Sequence, residues 1–205
     1  MITVVGNLKG GTGKSTVAFN LSLWVATHRN VYVAVYDLDP QATLSDALEI
    51  RTEDGYTPKI IPKNTVDSLG SEGENAEVIV DIGMSDMDAM KQAIAQADRI
   101  VVPVGPSQAD VWSTQRFLKL VQDVKKGDEV KILGFMNRAD THKAVRETDE
   151  AYDALKTLPL ITMLTPRLYQ RTVYRRSFSE GLAVFELDPR SKATTEVDAL
   201  GNVLY

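Results

Sequence analysis

Leu8-Lys9-Gly10-Gly11-Thr12-Gly13-Lys14-Ser15-Thr16 follows the apolar run Ile2–Val5 and leads straight into Val17, Leu21 and Val25, apolar residues spaced four apart. The order is strand, glycine-rich turn, helix. In that setting the glycines let successive backbone N–H groups converge on a polyphosphate, and the helix N-terminus adds the positive end of its dipole. Lys14 then reaches the β and γ oxygens, and Ser15 places a hydroxyl where Mg²⁺ needs an oxygen ligand. The general phosphate-loop pattern, G-x-x-x-x-G-K-[ST], is missed at its first position, where Leu8 stands in place of glycine. A second lysine, Lys9, opens the loop, so the pattern reads K-G-G-x-G-K-[ST].

Around this loop the chain is ordinary in composition. Its 205 residues, 43% apolar and 25% charged, suffice for one α/β domain with a sizeable core, and no linker-like block divides residues 1–205. No run approaches the roughly 18 apolar residues of a membrane span, and the first strand leaves no room for a signal peptide. There is no cysteine, hence no disulfide, and a cytoplasmic location is expected. The net charge of −5 argues against a globally basic nucleic-acid binder. The first hundred residues hold 8 Lys/Arg against 14 Asp/Glu, and the remainder holds 15 against 14, so any polyanion surface belongs to the second half.

The pattern alternates strand and helix. Val31–Tyr36, Glu77–Ile82, Ile100–Val104, Val130–Met136 and Leu160–Leu164 read as strands. Ser85 with Asp88, and Ser107 with Asp110, read as S-x-x-D caps before helices carrying Met87, Met90 and Ile94, and Val111, Leu118 and Val121. A polar helix with Ala144, Val145, Ala151 and Leu155 follows, and the tail from Leu168 reads as two helices parted near Gly181–Pro189. Residues Glu49–Asn75 read as surface connections plus a minor strand near Ile60 and Ile61. Strands joined by crossover helices imply an α/β fold: a mainly parallel twisted sheet with helices on both faces and a site at the strands' C-terminal ends. Asp81 closes a buried strand in V-I-V-D, where a nucleotide hydrolase needs a carboxylate for Mg²⁺ or its water; a helix-capping role is the alternative. Asp37 and Asp39 close another strand in D-L-D-P-Q, again with an acidic cap as the alternative.

The lysine-first loop resembles that of the ParA/MinD family, the deviant Walker A ATPases of the P-loop NTPase fold. The resemblance implies ATP and Mg²⁺ as ligands, with Lys9, Gly10, Gly11, Thr12, Gly13, Lys14, Ser15 and Thr16 at the phosphates. It implies that Lys9 crosses to the nucleotide of a partner subunit in an ATP-bound homodimer. Asp37-Leu38-Asp39-Pro40-Gln41 is similar to the D-x-D segment of ParA proteins, in which the second aspartate, here Asp39, orients the attacking water and the first, Asp37, lies near the metal. Together with Ser15 and Asp81 this makes the metal set, and Lys9, Lys14 and Asp39 the catalytic one. Pro103–Trp112 is similar to the ParA segment that opens a dimer-facing helix. Asn137 and Arg138 stand where family members contact adenine, although an Asn-Arg pair is as often only a loop. The lack of cysteine excludes the related iron–sulfur reductases, and the lack of a leading helix-turn-helix points to a short ParA.

Arg167, Arg171, Arg175 and Arg176 fall within ten residues that contain no acid, and four-residue intervals place three of them on one face of an expected helix. Arg190 and Lys192, opening the final helix, extend the patch. In ParA proteins basic residues of this region, doubled by dimerisation, bind double-stranded DNA without sequence preference; a solvated basic helix is the alternative. MinD relatives bind membrane through a basic C-terminal helix, but Thr194–Tyr205 carries two acids and no lysine or arginine, which does not suit an anionic bilayer. The resemblance therefore implies a nucleoid-associated ATPase that positions a plasmid, chromosome or protein assembly, stimulated by a ParB-like adaptor on the cargo. The competing readings are a membrane-associated positioning ATPase, a small-molecule phosphotransferase or synthetase on the same fold, and a filament former.

Overall fold

In the computed structural model, which describes residues 1–73, 75–142 and 146–205, the apolar runs become strands of one sheet. They are β1 (Ile2–Val5), β2 (Val33–Asp37), β3 (Glu77–Asp81), β4 (Arg99–Val104), β5 (Lys131–Ala139) and β6 (Thr162–Tyr169). Their order across the sheet is β2-β3-β1-β4-β5-β6, with every neighbouring pair parallel. Parallel neighbours need crossovers. These are α1 (Lys14–His28), α2 (Thr43–Glu53), α3 (Met87–Gln96), α4 (Gln108–Lys125) and α5 (Glu147–Lys156), and α6 (Thr172–Ser179), α7 (Val184–Leu187) and α8 (Lys192–Leu204) follow β6.

Successive strand residues point to opposite faces, so each strand feeds two cores. Val5, Val35, Ile79 and Phe135 meet α1, α2 and α6–α8 on one face; Val4, Tyr36, Val80 and Met136 meet α3, α4 and α5 on the other. The helix after the phosphate loop is the central one. Beyond the expected Val17, Leu21 and Val25, it also buries Phe19, Leu23 and Trp24, because α2, α6 and α8 pack over the side that faces away from the sheet.

The largest departure from the sequence reading is at the sheet edge. The strand expected at Leu160–Leu164 runs instead to Tyr169, through Thr165, Pro166 and Arg167. An edge strand tolerates proline because one row of its N–H groups has no ladder to join, and the register with β5 shifts twice along this stretch. The arginine ladder is thereby taken apart. Arg167 lies in β6, Arg171 is the extended N-cap of α6, and only Arg175 and Arg176 are helical, so the four do not share a helix face.

Smaller differences have equally local causes. Asp86, not Ser85, caps α3, accepting from the amides of Asp88 at 3.1 Å and Ala89 at 2.9 Å. Ser107 and Asp110 do form the capping box of α4. Glu49–Glu53 complete α2, and the minor strand reduces to a single parallel bridge between Lys63 and Tyr36, followed by a 3₁₀ turn at Val66–Ser71. The tail holds three helices where two were expected. Ala144 and Val145, placed by the sequence reading on a helix, lie outside the described residues; α5 begins at Glu147.

Candidate nucleotide-binding site

Strand register builds the site. Val5 and Asp37 both stand opposite Asp81, so the phosphate loop and two carboxylates leave the sheet side by side at its C-terminal edge. The loop turns through left-handed conformations at Gly11 (φ 75°) and Gly13 (φ 85°), the latter serving as N-cap of α1. A side chain at Gly13 would also meet the amide of Asn137 at 2.6 Å. Asn137 Nδ2 donates to the Thr12 carbonyl at 2.6 Å, and Arg138 Nη1 donates to the Gly11 carbonyl. These two residues, expected beside adenine, brace the back of the loop. Asn7 does the same at its entrance: fully buried, it donates to the carbonyl of Pro103 at 3.1 Å and to Thr114 Oγ1 at 3.2 Å, and accepts from Ser113 Oγ at 3.1 Å. Sequence reasoning passed over Asn7, whose only signal was a polar residue between a buried strand and the glycines.

In front of the loop lies a cavity of about 470 Å³, with Gly10, Lys14 and Ser15 on one wall and Asp39, Gln41 and Ser85 on the other. A second cavity of about 270 Å³ shares Gly11, Gly13 and Thr16 with it and runs between α1 and the β6–α6–α8 corner, past Leu21, Leu168, Tyr174 and Val197. A polar cradle continuous with an apolar cleft matches the two ends of a nucleoside polyphosphate. Arg171 and Arg175, assigned from sequence to DNA, line this second cleft. Arg171 pairs with Glu196 (Nη2–Oε1 2.6 Å), whose other oxygen accepts from the Tyr169 amide and the Tyr174 hydroxyl, each at 3.1 Å. Burial, reinforced by Glu196, drives the Tyr174 hydroxyl well above the ordinary phenol range.

The three carboxylates differ sharply. Asp81 is fully buried and neither of its oxygens has a hydrogen-bond partner. Burial pushes its pKa up to about 7; the Ser15 hydroxyl and the Lys14 ammonium act against the rise, and Asp37 adds to it. Ser15 and Lys14 lie near enough to act on this carboxylate without forming a hydrogen bond of good geometry to it, which leaves the site incomplete. Mg²⁺ fits it, because this ion takes one or two protein oxygens and completes its shell with phosphates and water. Asp37 is already engaged: Oδ2 accepts from the amide and the hydroxyl of Ser45, both at 2.8 Å, and Oδ1 from the Asp39 amide at 3.2 Å, which fixes the start of α2. Asp39 is half-buried, and its Oδ1 accepts from the Gln41 amide at 3.0 Å.

The remaining basic residues divide into paired and free. Lys9 turns out of its own loop onto α4, 2.9 Å from Asp110 Oδ2. Arg167 pairs with Asp149 at 2.7 Å and lies over the ring of Tyr152; Arg176 pairs with Glu180 at 2.8 Å. Arg175, Arg190 and Lys192 are exposed and make no ion pair among the described residues.

Comparison with known proteins gives one direction throughout. The profile of the CobQ/CobB/MinD/ParA nucleotide binding domain matches residues 3–184. The chain is 28% identical over 199 residues to the maintenance of carboxysome distribution protein A of Halothiobacillus neapolitanus, covering 94% of this chain and 90% of that one. It is 27% identical over 187 residues to Protein ParA of Rhizobium radiobacter, covering 88% and 83%. An ATP complex of a Cyanothece McdA variant superposes with a TM-score of 0.79 at 20% identity, covering 100% of this chain and 96% of the other, a likeness of fold.

Proposed function

Because the chain belongs to the CobQ/CobB/MinD/ParA nucleotide-binding family of ATPases, we propose that it is a single-domain ParA-type positioning ATPase whose ATP-bound homodimer binds DNA and carries a cargo. The observation that carries this reading is the division of labour within one loop: Lys14 lines the phosphate cavity, whereas Lys9 lies outside it, at the N-terminal end of α4. A lysine that does not serve its own phosphate cradle is free to serve another.

In this reading the loop amides and Lys14 hold the β and γ phosphates, and Asp39, across the cavity, orients the attacking water. Ser15 and Asp81 hold Mg²⁺, which when bound neutralises charge on the phosphates. The apolar cleft takes the nucleoside, with Asn137 and Arg138 in its wall. Two chains close face to face over two nucleotides, each Lys9 exchanging Asp110 for phosphate. Nucleotide binding is thereby converted into a switchable DNA affinity, and hydrolysis stimulated by a ParB-like adaptor on the cargo releases it from the nucleoid.

One observation weighs against the membrane alternative. The apolar face of α8, with Ala193, Val197, Leu200 and Leu204, is buried against the core, and Trp24 Nε1 donates to Asp198 at 2.9 Å, so that face is not available to a bilayer. No helix of the described residues is long and apolar enough to cross a membrane. The test is mass by light scattering with ATP and Mg²⁺, alongside DNA and liposome binding. The proposal expects two chains per particle, one chain for Lys9→Ala, and DNA binding that needs ATP. A parent that stays monomeric with ATP, or that ignores DNA and floats with anionic liposomes, overturns it.

A further inference from the structure

Gly83 stands two residues after Asp81, where the chain leaves β3 and enters the loop bordering the phosphate cavity. A Cβ built on it would fall 2.5 Å from Oδ1 and 2.6 Å from Oδ2 of Asp39, with Cγ closer still. Those three carboxylate atoms are its nearest neighbours. The Asp39 carboxylate therefore rests on the bare Cα of Gly83. Backbone conformation does not explain the glycine, since Gly83 is not among the residues with positive φ. Packing does not explain it either. At Gly6 an added Cβ would strike Ile82 and Phe117, and at Gly201 the rings of Trp24, all immobile core. At Gly83 the three atoms it would meet first all belong to the end of one half-buried side chain.

Asp39 is held from two sides. The Gln41 amide fixes Oδ1 at 3.0 Å, and the Ala42 amide holds the Asp39 carbonyl at 2.8 Å, which anchors the backbone beneath it. Neither bond stops rotation of the carboxylate toward the loop after β3; contact with Gly83 sets that limit. The two-residue step from Asp81 to Gly83 thus ties the position of one site carboxylate to the strand that presents the other.

We propose that Gly83 is a positioning residue for hydrolysis: its missing side chain sets where the Asp39 carboxylate sits over the phosphate cavity. The proposal rests on the reading of Asp39 as the group that orients water. Any side chain at 83 displaces that carboxylate by about 1 Å, the shift that takes approaches of 2.5 and 2.6 Å out to ordinary contact. A misplacement of about 1 Å in a positioned group costs on the order of a hundredfold in rate.

The test compares the parent, Gly83→Ala, Asp39→Ala and the double variant, measuring thermal midpoint, ATP affinity and kcat. Gly83→Ala is expected to unfold at the parent's temperature, to bind ATP with the parent's affinity, and to lose roughly ten- to a hundredfold in kcat. The double variant is expected to hydrolyse no more slowly than Asp39→Ala alone, because Gly83 acts only through Asp39. A normal rate in Gly83→Ala beside an inactive Asp39→Ala overturns the inference and leaves the Asp39 reading standing. Additive losses in the double variant, weakened ATP binding, or a Gly83→Ala that unfolds early each overturn it as well, since the inference requires Asp39 to yield rather than the loop or the fold. A parental rate in Asp39→Ala removes the reading beneath it.

Discussion

The ammonium of Lys9 lies 2.9 Å from Oδ2 of Asp110 and 3.3 Å from Oγ of Ser107, so the first lysine of the phosphate loop is held by the capping box of α4. Asp110 is nearly buried, and Gly105 makes the room for it: a Cβ there would come within 2.8–2.9 Å of the carboxylate. To reach a partner's nucleotide, Lys9 must leave an anion that water reaches poorly. The pair opposes dimerisation.

Asp110→Asn should therefore favour the ATP-bound dimer. A partly exposed ion pair is worth up to about 1 kcal/mol, and each dimer breaks two of them, so the loss of both lowers the protein concentration for half-dimerisation by up to roughly thirtyfold. Asparagine at this position still accepts from the Ser107 amide, so the helix cap survives. Light-scattering mass against protein concentration at saturating ATP measures it, and weaker dimerisation in the variant would refute the latch.

Asp81 gives the chain a pH dependence whose sign is fixed by burial. Its pKa is raised, so the folded state holds the proton more tightly than the unfolded state does. That contribution is complete below the ordinary carboxyl range and is lost as pH rises through about 7. Carrying the proton to about pH 7 rather than about 4 corresponds to roughly 4 kcal/mol. Free of metal and nucleotide, Asp81→Asn should thus be more stable than the parent at pH 8 in urea unfolding, with the gap shrinking below about pH 7 and closing only near about pH 4. With Mg²⁺ and ATP present the order should reverse, because only the carboxylate gains the ion.

How much of this could be read in advance depended on how local each signal was. The phosphate loop, Asp81 and the α4 cap announce themselves within a few residues, and each lies where its pattern puts it. Arg171 and Arg175 could not be placed that way. Their position beside Gly11 and Thr16 depends on β6 continuing through Pro166 at the sheet edge, which its polar residues conceal. Asn7 and Gly83 were invisible for another reason: what they do is defined by Thr114 and Asp39, partners that only the fold brings near.

Arg51 is a further case of distant partners. It is fully buried in α2, and its guanidinium donates to the carbonyls of Thr57, Pro58 and Gly181 and to both oxygens of Glu186, each at 2.8 Å. The pair ties α2, just after the Asp37–Asp39 segment, to α7. Glu186→Ala leaves a buried cation short of its counter-ion and should cost about 3–5 kcal/mol in urea unfolding. Arg51→Met with Glu186→Leu should recover much of that loss, because an apolar pair carries no desolvation penalty.

The basic residues of the second half should separate into two groups with different readouts. Arg171 lines the cleft proposed for the nucleoside and pairs with Glu196, so Arg171→Ala should weaken ATP binding and lower stability together. Arg190 and Lys192 are exposed, flank the Ser191 cap of α8, and have no acidic partner among the described residues. Each phosphate contact contributes a slope of about −0.9 in log affinity against log salt, and dimerisation doubles the contacts. Arg190→Glu with Lys192→Glu removes two contacts per subunit and should flatten the slope by roughly three to four, alike on unrelated DNA sequences. ATP affinity should stay at the parent's value, since neither residue lines the cleft. Fluorescence anisotropy of labelled duplex DNA with ATP, at several salt concentrations, reads the slope directly. An unchanged slope would move the DNA surface onto Arg175 and Arg176, the exposed arginines of α6, and a lost ATP affinity would place Arg190 or Lys192 in contact with the nucleotide site after all.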